Sequence, residues 1–361
     1  MKLLVKKSVL DGEITIPASK SHTIRAVVIA SLAEGKSILH NPLDSADSQA
    51  SVGACRAMGA KISQNENWEI EGFAGKPKTP GSEIDLLNSG TSANLIAGVA
   101  TLAQGPTVLT GDTSLRSRPF APILKALNDL GASAESISGD GRAPLKISGF
   151  LKGGSTEIDG MNSQPVSSLL ISCALAQADS EIFVPNLHEQ PYVKMTMQWL
   201  DEQGINYSES NMERFKVKGN QSFKSFEKTI PADFSSATFP LCAAAISPES
   251  NVLLKGLDMN DAQGDKDVAN MLKKMGAEIS VGEDGIRVIG SKLQGAELDL
   301  KNAPDALPAL AVVGCFAEGE TRLVNVAHAR IKETDRIATM VSELKKMGAD
   351  VEELDDGLVV R

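Results

Sequence analysis

A glycine recurs along this chain at almost constant phase, in the segments Ala57-Met58-Gly59-Ala60, Asp129-Leu130-Gly131-Ala132, Glu202-Gln203-Gly204-Ile205, Lys274-Met275-Gly276-Ala277 and Lys346-Met347-Gly348-Ala349, with spacings of 72, 73, 72 and 72 residues. Each copy runs from amphipathic residues into the glycine, then into a β-prone stretch. That is the signature of a helix closed by a left-handed C′ residue and followed by a strand. A second marker sits half a period away, in Leu32-Ala33-Glu34-Gly35, Leu102-Ala103-Gln104-Gly105, Leu175-Ala176-Gln177-Ala178 and Phe316-Ala317-Glu318-Gly319. Each closes a helix of small residues before a short strand. The unit therefore holds two helices and several strands, too long a period for an ordinary solenoid and suited to a compact α/β unit repeated about a pseudo-symmetry axis. Independent recurrence of helix caps is the alternative. Five such units fill nearly the whole chain.

Composition agrees with layered α/β structure. The 361 residues leave room for two or more domains, and 42% hydrophobic with 23% charged residues excludes a disordered or coiled-coil polypeptide. Aromatics supply only 4% against 31 glycines, so the core rests on aliphatic and small side chains with close backbone packing. A net charge of −10 argues against a general nucleic-acid or anionic-membrane surface, while leaving room for a local cationic pocket. The apolar run in Met1–Lys7 is too short for a signal peptide, and no stretch approaches the ~20 apolar residues of a membrane helix. A cytoplasmic location is the expectation. Cys55, Cys173, Cys242 and Cys315 show no metal-ligand spacing, and all four read as buried thiols.

Four segments carry polar groups in patterns suited to anions. In Ile16-Pro17-Ala18-Ser19-Lys20-Ser21-His22-Thr23-Ile24-Arg25, Ser19 reads as an N-cap, placing Lys20, Ser21 and Arg25 in the first turns of a helix. Backbone N–H groups, the positive helix end and two cations all favour a phosphate or carboxylate there. A capped helix with surface cations uses the same residues. Asn88-Ser89-Gly90-Thr91 is a polar turn whose glycine permits close backbone approach by a ligand. Gly111–Pro119 reads as a loop carrying Arg116 and Arg118, whose forks suit bidentate capture unless they are simply exposed. In Arg330-Ile331-Lys332-Glu333-Thr334-Asp335-Arg336, cations and a carboxylate converge on one edge of a helix start, its apolar face being Ile337, Met340, Val341, Leu344 and Met347. An exposed charge network is the competing account. Asp233 and Asp305 each head an apolar helix, where N-capping explains an acid as well as catalysis does.

Taken together, in their order and spacing, Ser-Lys-Ser…Arg, Asn-Ser-Gly-Thr, Arg-Pro, Asp-x-Ser-Ser-Ala and Arg-x-Lys-Glu-Thr-Asp-Arg resemble the 5-enolpyruvylshikimate-3-phosphate synthase family, the 3-phosphoshikimate 1-carboxyvinyltransferases of chorismate and aromatic amino acid biosynthesis. The resemblance covers nearly the whole chain. It implies an α/β fold of two domains, each of three βαβαββ units about a pseudo-threefold axis, with the active site in the cleft between them. Residues 1–16 with 231–361 would form one domain and 17–230 the other, five of the six units being present. It implies a monomer that uses phosphoenolpyruvate and shikimate 3-phosphate and needs no metal or organic cofactor.

By motif, the resemblance makes Lys20, Asp305 and Glu333 the catalytic groups: Lys20 as shared cation and proton-transfer group, Asp305 as base on the acceptor hydroxyl, Glu333 in proton transfer at C3. Shikimate 3-phosphate would meet Lys20, Ser21, Arg25, Asn162, Ser163, Gln164, Tyr192, Asp305, His328 and Lys332. Phosphoenolpyruvate would meet Lys20, Asn88, Gly90, Arg118, Gln164 and Arg336.

The chain departs from the family pattern at Asn94, Asn162, Glu189 and His328, where arginine, serine, serine and asparagine are usual. A carboxylate at Glu189 is unfavourable beside a phosphate unless cations or protonation compensate. Family members also continue with an Asp-His-Arg element and a later lysine, neither of which occurs before Arg361. Weak or absent turnover by this chain is therefore expected. The related transferase for UDP-N-acetylglucosamine uses a cysteine in the loop matching Gly111–Pro119, and that loop has none here. The remaining alternatives are an enolpyruvyl transferase for another acceptor and a degenerate homologue that binds the acceptor without turnover.

Overall fold

In the computed structural model the repeat takes physical form, among the described residues, as five four-stranded sheets. The structure describes Leu4, Lys6 and residues 8–361. The reading of Met1–Lys7 as no signal peptide thus falls largely outside the described residues. The helices are α1 (Lys20–Leu32), α2 (Ala46–Ala57), α3 (Gly90–Ala100), α4 (Thr113–Ser117), α5 (Ala121–Asp129), α6 (Ser163–Cys173), α7 (Gln190–Glu202), α8 (Phe234–Ile246), α9 (Val268–Lys274), α10 (Leu307–Gly314) and α11 (Arg336–Lys346). None of them is long and apolar enough to cross a membrane.

One unit shows the plan. Strand Ile84–Asp85 leads through α3 to a parallel partner, Thr107–Thr110, which is antiparallel to Leu145–Ser148; that strand closes a hairpin with Ser133–Ser136 after α5. Every sheet repeats the order. In each unit the last helix, α2, α5, α7, α9 or α11, ends in the same motif. Ala60, Ala132, Ile205, Ala277 and Ala349 donate their backbone N–H to the carbonyls of Cys55, Leu127, Leu200, Leu272 and Leu344 at 2.9–3.1 Å. The preceding glycines, Gly59, Gly131, Gly204, Gly276 and Gly348, all have positive φ, between 68° and 108°. These are complete Schellman closures, and the need for a left-handed residue is what keeps glycine in phase.

Two strands cross between repeats. Asp11–Thr15, which precedes α1, pairs with Asn251–Lys255, whereas Glu227–Thr229, which precedes α8, pairs with Lys36–His40. The chain accordingly divides into two compact units, one formed by the N-terminal segment through Pro17 with Pro231–Arg361, the other by Ala18–Ile230. Among the described residues the first contains two sheets and the second three.

Within Ala18–Ile230, α1, α3 and α6 are buried on nearly every face. Small residues make this possible: a Cβ on Gly98 would lie 2.6 Å from Ser168 Oγ and 2.9 Å from Ser172 Oγ, so α3 and α6 pack backbone to side chain. The Gln164 amide donates to Thr91 Oγ1 (3.0 Å) at the starts of those helices, and Arg25 on α1 reaches Ser167 on α6 (3.2 Å). The three helices therefore run in one direction with their N-termini at one end. The Pro231–Arg361 unit has its own aliphatic core, centred on Leu241, Leu272, Leu310 and Leu323.

Several sequence expectations need correction. Cys55, Cys173 and Cys242 are buried, with burial pushing each thiol up to about 12, but Cys315 is exposed because it caps α10 beyond its packed face. Met347 is 84% exposed, since the C-cap rotates it off the stripe of Ile337, Val341 and Leu344. The segment Gly111–Pro119 is not a plain loop: Asp112 caps the short helix α4. Asp233 does cap α8, but Asp305 lies in the 3-10 turn Pro304–Ala306 and caps nothing with its side chain.

Candidate active site

At the shared N-terminal end of α1, α3 and α6, each helix contributes chemistry. Ser19 caps α1 by accepting from His22 N (3.4 Å), which fixes Lys20 and Ser21 in the first turn, both half-buried. Lys20 has no ion-pair partner among the described residues, and its ammonium stands at a positive helix end. Arg25, one turn on, is 2% exposed. Its guanidinium donates to Thr196 Oγ1 (2.8 Å), the Ser21 carbonyl (3.0 Å), Ser167 Oγ (3.2 Å) and the Tyr192 carbonyl (3.0 Å). Burial draws its pKa down to about 10, while Tyr192 and Glu189 oppose the fall.

Around Gly90 a second group forms. Arg118 donates to Asn88 Oδ1 and to Ser114 Oγ (3.5 Å), and Asn88 Nδ2 in turn donates to Asp112 (2.9 Å). The Leu115 backbone N–H first, then Asn88, hold the Asp112 carboxyl below its ordinary range. Asn94 donates to both the Gly90 carbonyl (2.9 Å) and Gln164 Oε1 (3.2 Å). A Cβ on Gly90 would stand 2.7 Å from Arg118 Nη1 and 3.5 Å from Gln164 Oε1. Glycine at this position leaves room for the guanidinium itself.

At α6, Asn162 caps the helix through Gln164 N (3.0 Å). Ser163 donates both its backbone N–H (3.2 Å) and its hydroxyl (2.7 Å) to one oxygen of Glu189. Tyr192 lies in the first turn of α7.

In the Pro231–Arg361 unit, the Arg336 fork holds Glu333 in two bonds, Nε to Oε1 (2.8 Å) and Nη2 to Oε2 (2.9 Å), and its Nη1 donates to Asp305 (2.5 Å) and the Pro304 carbonyl (3.3 Å). Burial opposes the charge of Arg336, but Asp305 and Glu333 outweigh it and raise the pKa. Glu333 is correspondingly lowered: burial works against its ionised form, and the Arg336 bonds and charge overcome that. Asp335 caps α11 and, with Glu353, grips Arg330, so the Arg330–Arg336 segment is pinned at both ends. Lys332 is half-buried at the end of the preceding 3-10 turn, and His328 within that turn is fully buried.

Sequence reasoning left Thr196, Ser167 and Asp112 without roles, although the structure makes them the holders of Arg25 and Asn88. A polar residue one turn after Tyr192 was the available signal for Thr196. Nothing local distinguishes Ser167 among the serines of α6.

Five sheets of one strand order with their helices define an α/β protein of the enolpyruvyl transferase fold. The family profile "EPSP synthase (3-phosphoshikimate 1-carboxyvinyltransferase)" matches residues 4–361. The chain belongs to the EPSP synthase family. It is 51% identical to a 3-phosphoshikimate 1-carboxyvinyltransferase of Acetivibrio thermocellus, over 100% of this chain and 85% of that protein. It is 46% identical to one of Methanothrix thermoacetophila, with the same coverage. Among solved structures, an EPSP synthase from Acinetobacter baumannii superposes with a TM-score of 0.81 at 30% identity, covering 99% of this chain and 82% of that one.

Proposed function

We infer that this protein transfers the enolpyruvyl group of phosphoenolpyruvate to the 5-hydroxyl of shikimate 3-phosphate and releases inorganic phosphate, in the shikimate pathway. The observation that carries the chemistry is the cation set Lys20, Arg25 and Arg118 at convergent helix N-termini, suited to multiply anionic substrates. The acceptor oxygen bonds to C2 of phosphoenolpyruvate as its proton passes to Asp305, and C3 takes up a proton. The C2–phosphate oxygen bond then breaks, C3 returns a proton and phosphate departs. Glu333 serves at C3, and Lys20 moves protons while offsetting charge. Ser21, Arg25, Asn162, Ser163, Gln164, Tyr192, His328 and Lys332 serve the acceptor. Asn88, Gly90, Arg118, Gln164 and Arg336 serve phosphoenolpyruvate. In this reading the protein acts as a cytoplasmic monomer.

The test combines calorimetric titration with shikimate 3-phosphate and an assay of phosphate release from both substrates. Absence of acceptor binding would overturn the assignment. Against the weak turnover expected of this chain, Lys20→Met should lower phosphate release by about a further hundredfold. Its thermal midpoint should stay near wild type, because Lys20 holds no ion-pair partner among the described residues. Release at the wild-type rate would remove Lys20 from the mechanism.

A further inference from the structure

The carboxylate of Glu189 lies where an anionic ligand of α6 would bind. Its residue is 3% exposed, and it takes both donors of Ser163, at 3.2 and 2.7 Å. Since Asn162 already takes the N–H of Gln164, both leading N–H groups of α6 are satisfied by the protein's own acceptors. Glu189 is held there by a left-handed backbone, φ 53° and ψ 36°, sparsely populated for any residue with a side chain.

Charge makes the arrangement consequential. The hydrogen-bond acceptors of the buried Arg25 guanidinium are all neutral: two hydroxyls and two carbonyls. Tyr192 first and then Glu189 act through space to favour the charged form of Arg25, and Glu189 is the carboxylate of the two. A pair of opposite buried charges is tolerable, whereas a further anion at Ser163 meets a carboxylate that already holds both donors. A ligand phosphate reaching Ser163 must displace Glu189 from its two donors.

We propose that Glu189 is a specificity-determining residue that occupies the acceptor-phosphate position of the free protein as an internal anion and sets the affinity for phosphate-bearing ligands. The proposal rests on the acceptor reading given above. Glu189→Gln keeps an oxygen for Ser163 but removes the charge. It should lower the thermal midpoint without ligand, because Arg25 loses its compensation. It should also tighten shikimate 3-phosphate about tenfold, or about 1.4 kcal/mol, enlarge the thermal shift with inorganic phosphate, and leave affinity for unphosphorylated shikimate unchanged.

A merely structural Glu189 would lower the midpoint in the same way while leaving phosphate affinity equal or weaker, and that result overturns the proposal. So does equal tightening of shikimate and its 3-phosphate. Glu189→Ser, smaller and neutral, provides a second variant in which phosphate binding should also tighten. If shikimate 3-phosphate binds neither wild type nor variant while inorganic phosphate still tightens, the acceptor reading fails and the internal-anion role survives.

Discussion

Replacing Arg336 by methionine isolates the electrostatic centre of the Pro231–Arg361 unit. The side chain is 16% exposed and makes three bonds to carboxylates, at 2.5, 2.8 and 2.9 Å. Bonds to charged groups contribute about 1.5 to 3 kcal/mol each where solvent is excluded. Here Asp305 and Glu333 retain 34% and 45% side-chain exposure, so water recovers part of the loss. The expected destabilisation is about 3 kcal/mol, the lower end for a broken buried pair, or roughly a hundredfold in the folded-to-unfolded ratio. The assay is urea denaturation followed by fluorescence and circular dichroism, since a chain of two units need not unfold in one step. The pH dependence supplies the sign. Because Glu333 is lowered in the folded state, its contribution is complete above the unfolded glutamate value of about 4.3. It disappears as pH falls through the lower folded value. The gap between wild type and Arg336→Met should therefore be constant from neutral pH down to about 5 and narrow below 4. A gap that persists undiminished in acid would show that Arg336 stabilises through bonds that do not titrate, such as that to the Pro304 carbonyl, refuting the ionic account.

Gly90→Ala should push the Arg118 guanidinium aside, since the new Cβ meets the mobile end of that side chain at 2.7 Å. Phosphoenolpyruvate affinity should fall about tenfold in titrations with acceptor present, with little change in acceptor affinity or thermal midpoint; unchanged phosphoenolpyruvate affinity would separate Arg118 from that substrate. Of the four cysteines, only Cys315 is exposed, so a thiol reagent should titrate one equivalent in the native protein and four in denaturant. Rapid native reaction of a second thiol would contradict the packing of the helices that carry the others.

The periodic glycines made the fold legible because the requirement they meet is local. A Schellman closure needs one left-handed residue at a fixed position, and five copies of one requirement leave a phase in the sequence. One candidate site residue at a helix start was legible for a similar reason. Ser19 announces its helix by capping chemistry and so puts Lys20 at an N-terminal end, whereas the caps Ser89, Asn162 and Asp335 emerge only in the structure, where they set Gly90, Gln164 and Arg336 at or next to helix starts. Partnerships across distant segments carry no such mark. The bond between Arg25 and Thr196 spans 171 residues, and that between Arg336 and Asp305 spans 31. Asp305 illustrates the ambiguity: an acid ahead of an apolar helix reads as a cap, yet its oxygen is committed to Arg336 instead. Glu189 carries the same lesson to the anion site. Its charge conflicts with a phosphate when the sequence alone is read, and the fold resolves the conflict by giving the carboxylate the Ser163 donors and a buried arginine to neutralise. The affinity of this site for an anion is therefore set by competition with the protein's own carboxylate, in addition to the number of cations around it.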